Sequence, residues 1–296
     1  MSYTEKVKNE ISSQKLSEIE NRYLFLGYAY INADIKDNNI IIRLENISTA
    51  RKLFKTLKYC YYQVPKITVR NQKRFKTKKI LILEINDNKI HLKDELNNLN
   101  LIEEEDKKSF IKGIFLASGN ISDPKNSNYH LELTFESIEK CNYVKELLKE
   151  FNYSFKYLKR NNNHMLYLKL SEQISDFLKL LEVVNELFYF EDIRIYKDHK
   201  NMVNRLNNCE QANFEKSLNT SNNQINQINY LKENNYFDLL DDKTKILAEY
   251  RIIYKEQSYA EFASILSEKL DKKVTKSYVN HHFRKISNLY NKVKNK

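Results

Sequence analysis

Six residues near the C-terminus, Ser277, Tyr278, His281, Arg284, Lys285 and Asn288, are spaced so that a helix would gather them on one side. Their hydroxyl, imidazole, guanidinium, ammonium and carboxamide groups are the donors and acceptors that read base edges in a major groove. Lys272, Lys273 and Lys276 precede or open that helix, where side-chain charge and free backbone N–H groups both favour phosphate. Residues 269–296 contain nine Lys or Arg and a single acid, Asp271. This is the chemistry of duplex DNA recognition; a solvated basic helix is the plain alternative. A second basic run, KITVRNQKRFKTKK, supplies Lys66, Arg70, Lys73, Arg74, Lys76, Lys78 and Lys79 with no acid among them. On a hairpin it is either a solvated tip or a secondary DNA contact.

The elements that must hold the first group can be read from caps and periodicity. Val279, Phe283, Ile286 and Tyr290 lay one apolar stripe on a helix starting near Thr275, and the base-reading face is the side opposite that stripe. A second helix starts behind Ser258, with Glu261 three positions on to complete a capping box, and another starts behind Asp241. The short DKKV turn between the last two gives the layout of a helix-turn-helix.

Upstream, the chain runs twice through one order of elements, α-β-β-α-β-β-α. The first pass comprises a helix over residues 18–30, the strand IIIRLE, the helix STARKLFKTLKYCYY, the strands KITVR and KKILILEI, and a short helix HLKDELNNL. The second comprises FIKGIFLASG, YHLELTFE, SIEKCNYVKELLKEF, SFKYLKR, HMLYLKL and SEQISDFLKLLEVV. The first strand of each pass is the weakest signal. From residue 198 the sequence turns polar and asparagine-rich while Met202, Leu206, Cys209, Ile225, Ile228 and Leu231 keep helical spacing, predicting a linker helix interrupted near residues 219–223. The fold expected is an α+β N-terminal domain of two repeats, 1–102 and 103–197, then a helical linker, 198–235, and an all-α helix-turn-helix domain, 236–296.

Composition narrows the class. The 296 residues carry a formal charge of +11, pointing to a polyanionic partner through counterion release. Three cysteines, Cys60, Cys141 and Cys209, are too few and too dispersed for a disulfide framework, and six scattered histidines give no metal-binding spacing, so no metal or other cofactor is expected. No apolar run approaches the length needed to span a bilayer. The expectation is a cytoplasmic chain with reduced thiols and no membrane partner.

Only three glycines occur, and all fall in two related stretches: Gly27 in YLFLGYAYINAD and Gly113 and Gly119 in FIKGIFLASGNISD. Glycine costs a helix about 1 kcal/mol relative to alanine, a cost tolerated where two backbones approach closely. Duplication of the surrounding pattern predicts that these two helices pack against each other on a pseudo-two-fold axis within a monomer.

FIKGIFLASG, and more faintly LFLGYAYINA, resemble the motif helix of LAGLIDADG homing endonucleases. That resemblance implies paired motif helices at the centre of the domain, each ending in an acid that holds catalytic metal. Aligning Gly27 with Gly113 puts Asn32 and Ser118 at the acidic positions, and neither supplies the anionic oxygen that Mg²⁺ chemistry requires. Asp34 and Asp123 lie nearby but are not equivalent to each other, and they read as loop residues. No catalytic residue is therefore assigned.

Together with NRLNNCEQAN at residues 204–213, ASGNISDP and VNHHFRK, the whole chain resembles the bacterial WhiA family, in which His282 stands where a basic residue is usual. The resemblance implies a DNA-binding regulator, either a sporulation-type transcription factor or a nucleoid-associated protein of cell division and chromosome segregation. Double-stranded DNA is the partner implied, with a regulatory or transcription-machinery protein as a second. The alternatives are an active homing endonuclease or RNA maturase, and a protein-interaction scaffold.

Overall fold

The computed structural model describes residues 1–36, 39–72, 78–87, 90–126 and 128–294. It divides into two compact units, Met1–Lys197 and Asp198–Lys296. In the first, α1 (Tyr3–Ser13) precedes two passes through the same elements. One pass is α2 (Glu18–Asn32), β1 (Ala33–Lys36), β2 (Asn39–Leu44), α3 (Ile47–Cys60), β3 (Lys66–Gln72), β4 (Lys78–Asn86) and α4 (Leu92–Asn97). The other is α5 (Glu104–Ser118), β5 (Gly119–Ile121), β6 (Leu131–Phe135), α6 (Ile138–Glu150), β7 (Lys156–Arg160), β8 (Asn163–Leu168) and α7 (Ser171–Leu180).

Each pass makes a four-stranded antiparallel sheet in the same order, β1-β2-β4-β3 and β5-β6-β8-β7. Alternation decides the faces. Ile40, Ile42 and Leu44 of β2 with Leu83 and Ile85 of β4 turn inward, as do Leu131, Leu133 and Phe135 of β6 with Leu166 and Leu168 of β8. Against the same core, α2 and α5 pack on each other, buried continuously at Leu24–Ala29 and at Ser109–Leu116.

The helix pair explains two of the glycines. A Cβ on Gly27 would sit 2.0 Å from the carbonyl oxygen of Phe110, and one on Gly113 would sit 2.1 Å from that of Leu24. Backbone lies against backbone at both points, as the repeat predicted. Gly119 differs: it caps α5 at φ −71° and a Cβ there would strike the Phe115 ring.

The linker expectation is corrected. A single helix, α8, runs from Val184 to Glu233, starting before residue 198 and continuing without a break at 219–223. Glu182, at φ 56°, separates it from α7, so the predicted closing helix stops at Leu180 rather than continuing through LEVV. Ser221 and Gln224 are buried, the former donating to the Lys255 carbonyl and the latter to the Tyr259 hydroxyl. Those bonds satisfy polar groups that the sequence suggested would favour a break.

The second unit packs the end of α8 with α9 (Asp242–Ile253), α10 (Tyr259–Lys269) and α11 (Lys276–Lys294), after a 3₁₀ turn at Phe237–Leu239. Its core is Ile228, Leu231, Leu247, Phe262, Leu266, Val279, Phe283 and Ile286. Arg251 is fully buried among them, its guanidinium over the Phe262 and Phe283 rings at 5.1 and 5.7 Å, with Nε donating to Gln224 (3.1 Å) and Nη1 to the Gln257 carbonyl (2.7 Å). Among the described residues no helix is long and apolar enough to cross a membrane.

Candidate nucleic-acid interface

Three local devices orient α10 and α11. The Ser258–Glu261 capping box closes the start of α10, with Ser258 N–H donating to the Glu261 carboxylate at 2.8 Å. The turn passes through Asp271 in the left-handed conformation, φ 44°, a place more often given to glycine or asparagine. Ser267 then accepts from Val274 N–H (2.9 Å), and the Thr275 hydroxyl accepts from Tyr278 N–H (3.2 Å) to begin α11.

Asp241 joins α11 to α9. One carboxylate oxygen accepts from the Thr244 N–H and hydroxyl, both at 3.0 Å, capping α9; the other accepts from Lys285 Nζ at 2.8 Å. The hydrogen bond from Lys285, then those from Thr244, hold the Asp241 carboxyl well below the usual carboxylate range. With its proton directed at Asp241, the Thr244 hydroxyl offers a lone pair to Nδ1 of His282, 2.6 Å away. His282 is 4% exposed, and burial lowers its pKa, favouring the neutral ring. It supports the helix from beneath and does not face outward with the base-reading set.

Lys272, Lys273, Lys276, Ser277, His281, Arg284, Lys285 and Asn288 are all exposed. Tyr278 is half-buried against the His282 ring, with centroids 4.4 Å apart, and Lys285 is engaged with Asp241. Ser277, Tyr278, His281 and Lys285 border an open depression of about 790 Å³ whose other walls include Asp241, Asp242 and Lys243. Sequence reasoning missed Asn280. It is exposed and lies on the helix between Ser277 and Arg284, three and four residues away, so the same angular argument that chose those residues includes its carboxamide.

The first basic run is less coherent. By register, Lys66, Thr68 and Arg70 share the outer face of their sheet with Ile80, Ile82 and Glu84, whereas Lys79 pairs with Asn71 on the opposite face. Lys78 opens β4, and Lys73, Arg74 and Lys76 lie outside the described residues. Cations on the outer face are partly balanced: Lys66 stands 3.8 Å from Glu84, and Asp34 stands 3.6 Å from Lys36 and 3.8 Å from Arg43.

Asn32 and Ser118 are the last residues of α2 and α5. The Asn32 amide donates to the Ala117 carbonyl of the facing helix and to the Tyr28 hydroxyl, each at 3.3 Å. Ser118 turns back to donate to the Ile114 carbonyl at 3.3 Å. Beside these ends opens a polar cavity of about 1010 Å³, walled by Lys8 of α1 as well as Asp34, Arg43, Glu45 and Lys140. Burial lowers the Lys8 pKa to about 8. Asp34 belongs to β1, correcting its reading as a loop residue, while Asp123 does sit in a turn, accepting from Lys125 N–H (2.9 Å) and Tyr189 (3.3 Å). Among the described residues no three His, Cys, Asp or Glu side chains form a group suited to a metal ion.

The fold and these sites define a class: a duplicated LAGLIDADG-like scaffold without acids at the ends of its paired helices, followed by a helix-turn-helix unit. Family models match in the same order: the WhiA N-terminal LAGLIDADG-like domain at residues 30–102, the WhiA LAGLIDADG-like domain at 107–200 and the WhiA C-terminal HTH domain at 203–290. The "Probable cell division protein WhiA" of Pediococcus pentosaceus is 31% identical, over 99% of this chain and 100% of its own. Its namesake from Bacillus cytotoxicus is 30% identical, over 99% of this chain and 98% of its own. The crystal structure of full-length DUF199/WhiA from Thermatoga maritima matches with a TM-score of 0.61 at 23% identity, covering 99% of both chains. The chain belongs to the WhiA family.

Proposed function

We propose that this protein binds double-stranded DNA through α10, the turn and α11 as a non-catalytic regulator acting in cell division and chromosome segregation or in transcription. The observation that carries the reading is the exposed polar and cationic face of α11, backed by a fully packed apolar face and anchored to α9 through Asp241. Lys272, Lys273 and Lys276 contact phosphate, while His281, Arg284 and Asn288, joined by Asn280, read base edges. Relatives named as probable cell division proteins support the cellular role. Absence of cleavage rests on Asn32 and Ser118, whose neutral side chains are occupied by carbonyl partners where the resemblance calls for carboxylates.

Fluorescence anisotropy of the purified full chain on duplex DNA, over a salt series, tests the binding. Removing Lys272 or Lys273 weakens all sequences alike and flattens the salt slope by about 0.9 per contact. Replacing Arg284 by alanine instead relaxes base preference, by about 1 to 3 kcal/mol at one position. Equal behaviour of the two groups would sink the assignment, and metal-dependent nicking of supercoiled plasmid lost on Asp34→Asn would overturn the non-catalytic reading. Mapping occupancy along the chromosome separates the two roles, promoter peaks favouring transcriptional control and broad coverage a nucleoid role.

A further inference from the structure

The two repeats share their elements but not their outer surfaces, and the difference creates a groove in the first repeat. Ile47, Arg51, Phe54, Lys55 and Lys58 follow one another along one flank of α3 at helical spacing, beside the stripe that packs into the core. Across from them, Ile67 of β3 and Leu81 and Leu83 of β4 point to the same side of the sheet. Together these residues border an open apolar groove of about 370 Å³. Its floor is Phe54, Ile67, Leu81 and Leu83, its rim carries Arg51, Lys55 and Lys58, and no acid lines it. Ile67 is 50% exposed and Tyr59, at one end, 64%, and β3 forms the sheet's outer strand among the described residues.

The second repeat provides an internal comparison. Aligning α3 with α6 from their capped starts, Asn46 and Ser137, places Lys145 at the position of Phe54, Glu146 at that of Lys55 and Glu150 at that of Tyr59. There the helix flank is closed by ion pairs, Glu146 with Lys149 at 2.7 Å and Glu150 with Lys107 at 2.8 Å. One copy thus has a charged, self-satisfied flank, and the other has an apolar floor, exposed at Ile67, beneath three cations. Packing of the sheet does not require the second arrangement, since the sister repeat folds without it.

We propose that the α3/β3–β4 groove is a docking site for an acidic amphipathic peptide segment of a partner protein. Its apolar side chains seat on Phe54, Ile67, Leu81 and Leu83, and its carboxylates meet Arg51, Lys55 and Lys58. A nucleic acid meets the same cations but has no use for the apolar floor, and an uncharged apolar segment has no use for the rim. The groove lies in the first unit, and the DNA-reading surface of α11 in the second.

The test uses the full-length protein and a fluorescein-labelled synthetic peptide of glutamate and leucine, with leucines spaced to share one helix face, beside a matched glutamate–serine peptide. The glutamate–leucine peptide binds saturably. Its affinity falls by about tenfold or more in the Arg51→Glu/Lys55→Glu/Lys58→Glu protein and, separately, in Ile67→Asp, and the serine peptide binds about tenfold less tightly or worse. All these positions are exposed, and circular dichroism confirms the variants' fold. Affinity for duplex DNA is the same in wild type and both variants. Absence of saturable binding, equal affinity in the variants, or equal binding of the serine peptide overturns the proposal. Loss of DNA affinity in the triple variant overturns it too, reassigning the cations to nucleic acid.

Discussion

Gly27→Ala is the sharpest perturbation of the scaffold, because two opposing effects of known size meet at one atom. In an isolated helix the change gains about 1 kcal/mol. Here the new methyl would lie 2.0 Å from the Phe110 carbonyl oxygen and 2.9 Å from its carbon, against the 3.4 Å or more of ordinary contact. The obstruction is backbone, so no side chain can swing away; α2 and α5 must separate locally by more than about 1 Å, a gap that forfeits a large part of the dispersion energy across it. Leu24, Phe25 and Tyr28 on one side and Phe110 and Ile114 on the other, all buried, lose contact together. Overpacking costs about 1 to 3 kcal/mol even where side chains adjust, so a cost of about 3 kcal/mol is expected and a net loss of about 2 or more remains after the helix gain.

Hydrogen exchange of the α2 and α5 amides in the full chain, measured against urea, isolates this unit from the C-terminal one. Asn208→Ala, on the exposed side of α8, serves as a control that changes propensity alone. Gly113→Ala meets the Leu24 carbonyl oxygen at 2.1 Å and should cost a similar amount. The double variant should cost less than the two together, because helices forced apart at one crossing point are already relaxed at the other. Protection in Gly27→Ala equal to or above wild type would refute close backbone packing as the reason for the glycine.

Two further perturbations test individual side chains. The His282 pKa is depressed by burial, with Asp241 opposing and Lys285, His281 and Lys243 adding to the effect, so the unfolded chain binds the proton more readily. Stability from the neutral ring is therefore full above the ordinary histidine value near 6.5 and declines as pH falls through it toward the folded value, by at most about 1.4 kcal/mol per pH unit. Urea midpoints of wild type should fall between pH 7.5 and 5 by more than those of His282→Gln; parallel curves would remove the histidine from the account. Asn32→Asp, nominally a step back toward a nuclease, replaces a donor to the Ala117 carbonyl with an acceptor, and should destabilise the first unit by about 1 to 2 kcal/mol at neutral pH. Thermal unfolding that leaves the variant unchanged would show that the cross-helix bond contributes nothing.

Features encoded within a few residues were legible in the sequence. The Ser258–Glu261 capping box, the Asp241 cap and the strands β2, β3, β4, β6, β7 and β8 appear where local spacing placed them, whereas β1 and β5, the first strand of each pass, fall on stretches that no spacing marked; the glycine pair followed from comparing one repeat with the other. What depended on distant partners was not. The buried residues of α1, Tyr3, Val7 and Ile11, recur every fourth position, but the tie that fixes the helix joins Thr4 to Ile121, 117 residues away. Its Glu10 caps the start of α8 by accepting from Asn185 and Glu186, which no local pattern announces. The break between α7 and α8 falls on Glu182, a residue with no turn-forming signature. Along α11, angular spacing chose the outer face but could not show that Asp241 engages Lys285 or that Thr244 draws His282 inward.

The duplication separates what the scaffold requires from what it leaves free. Positions whose neighbours are backbone cannot vary: Gly27 and Gly113 are the same residue, each against a carbonyl of the other helix. The ends of those helices carry no such constraint, and there the repeats differ, Asn32 bonding across the pair and Ser118 bonding back along its own helix. Had carboxylates stood at both ends, each would need a cation or donors to offset its charge; the neutral pair needs only carbonyl oxygens already present. Neutral residues at those ends therefore leave the helix packing intact. The outer flanks of α3 and α6 diverge further still, one toward ion pairs and the other toward an open apolar floor. In a scaffold with a fixed centre, new binding arises where the copies are free to differ.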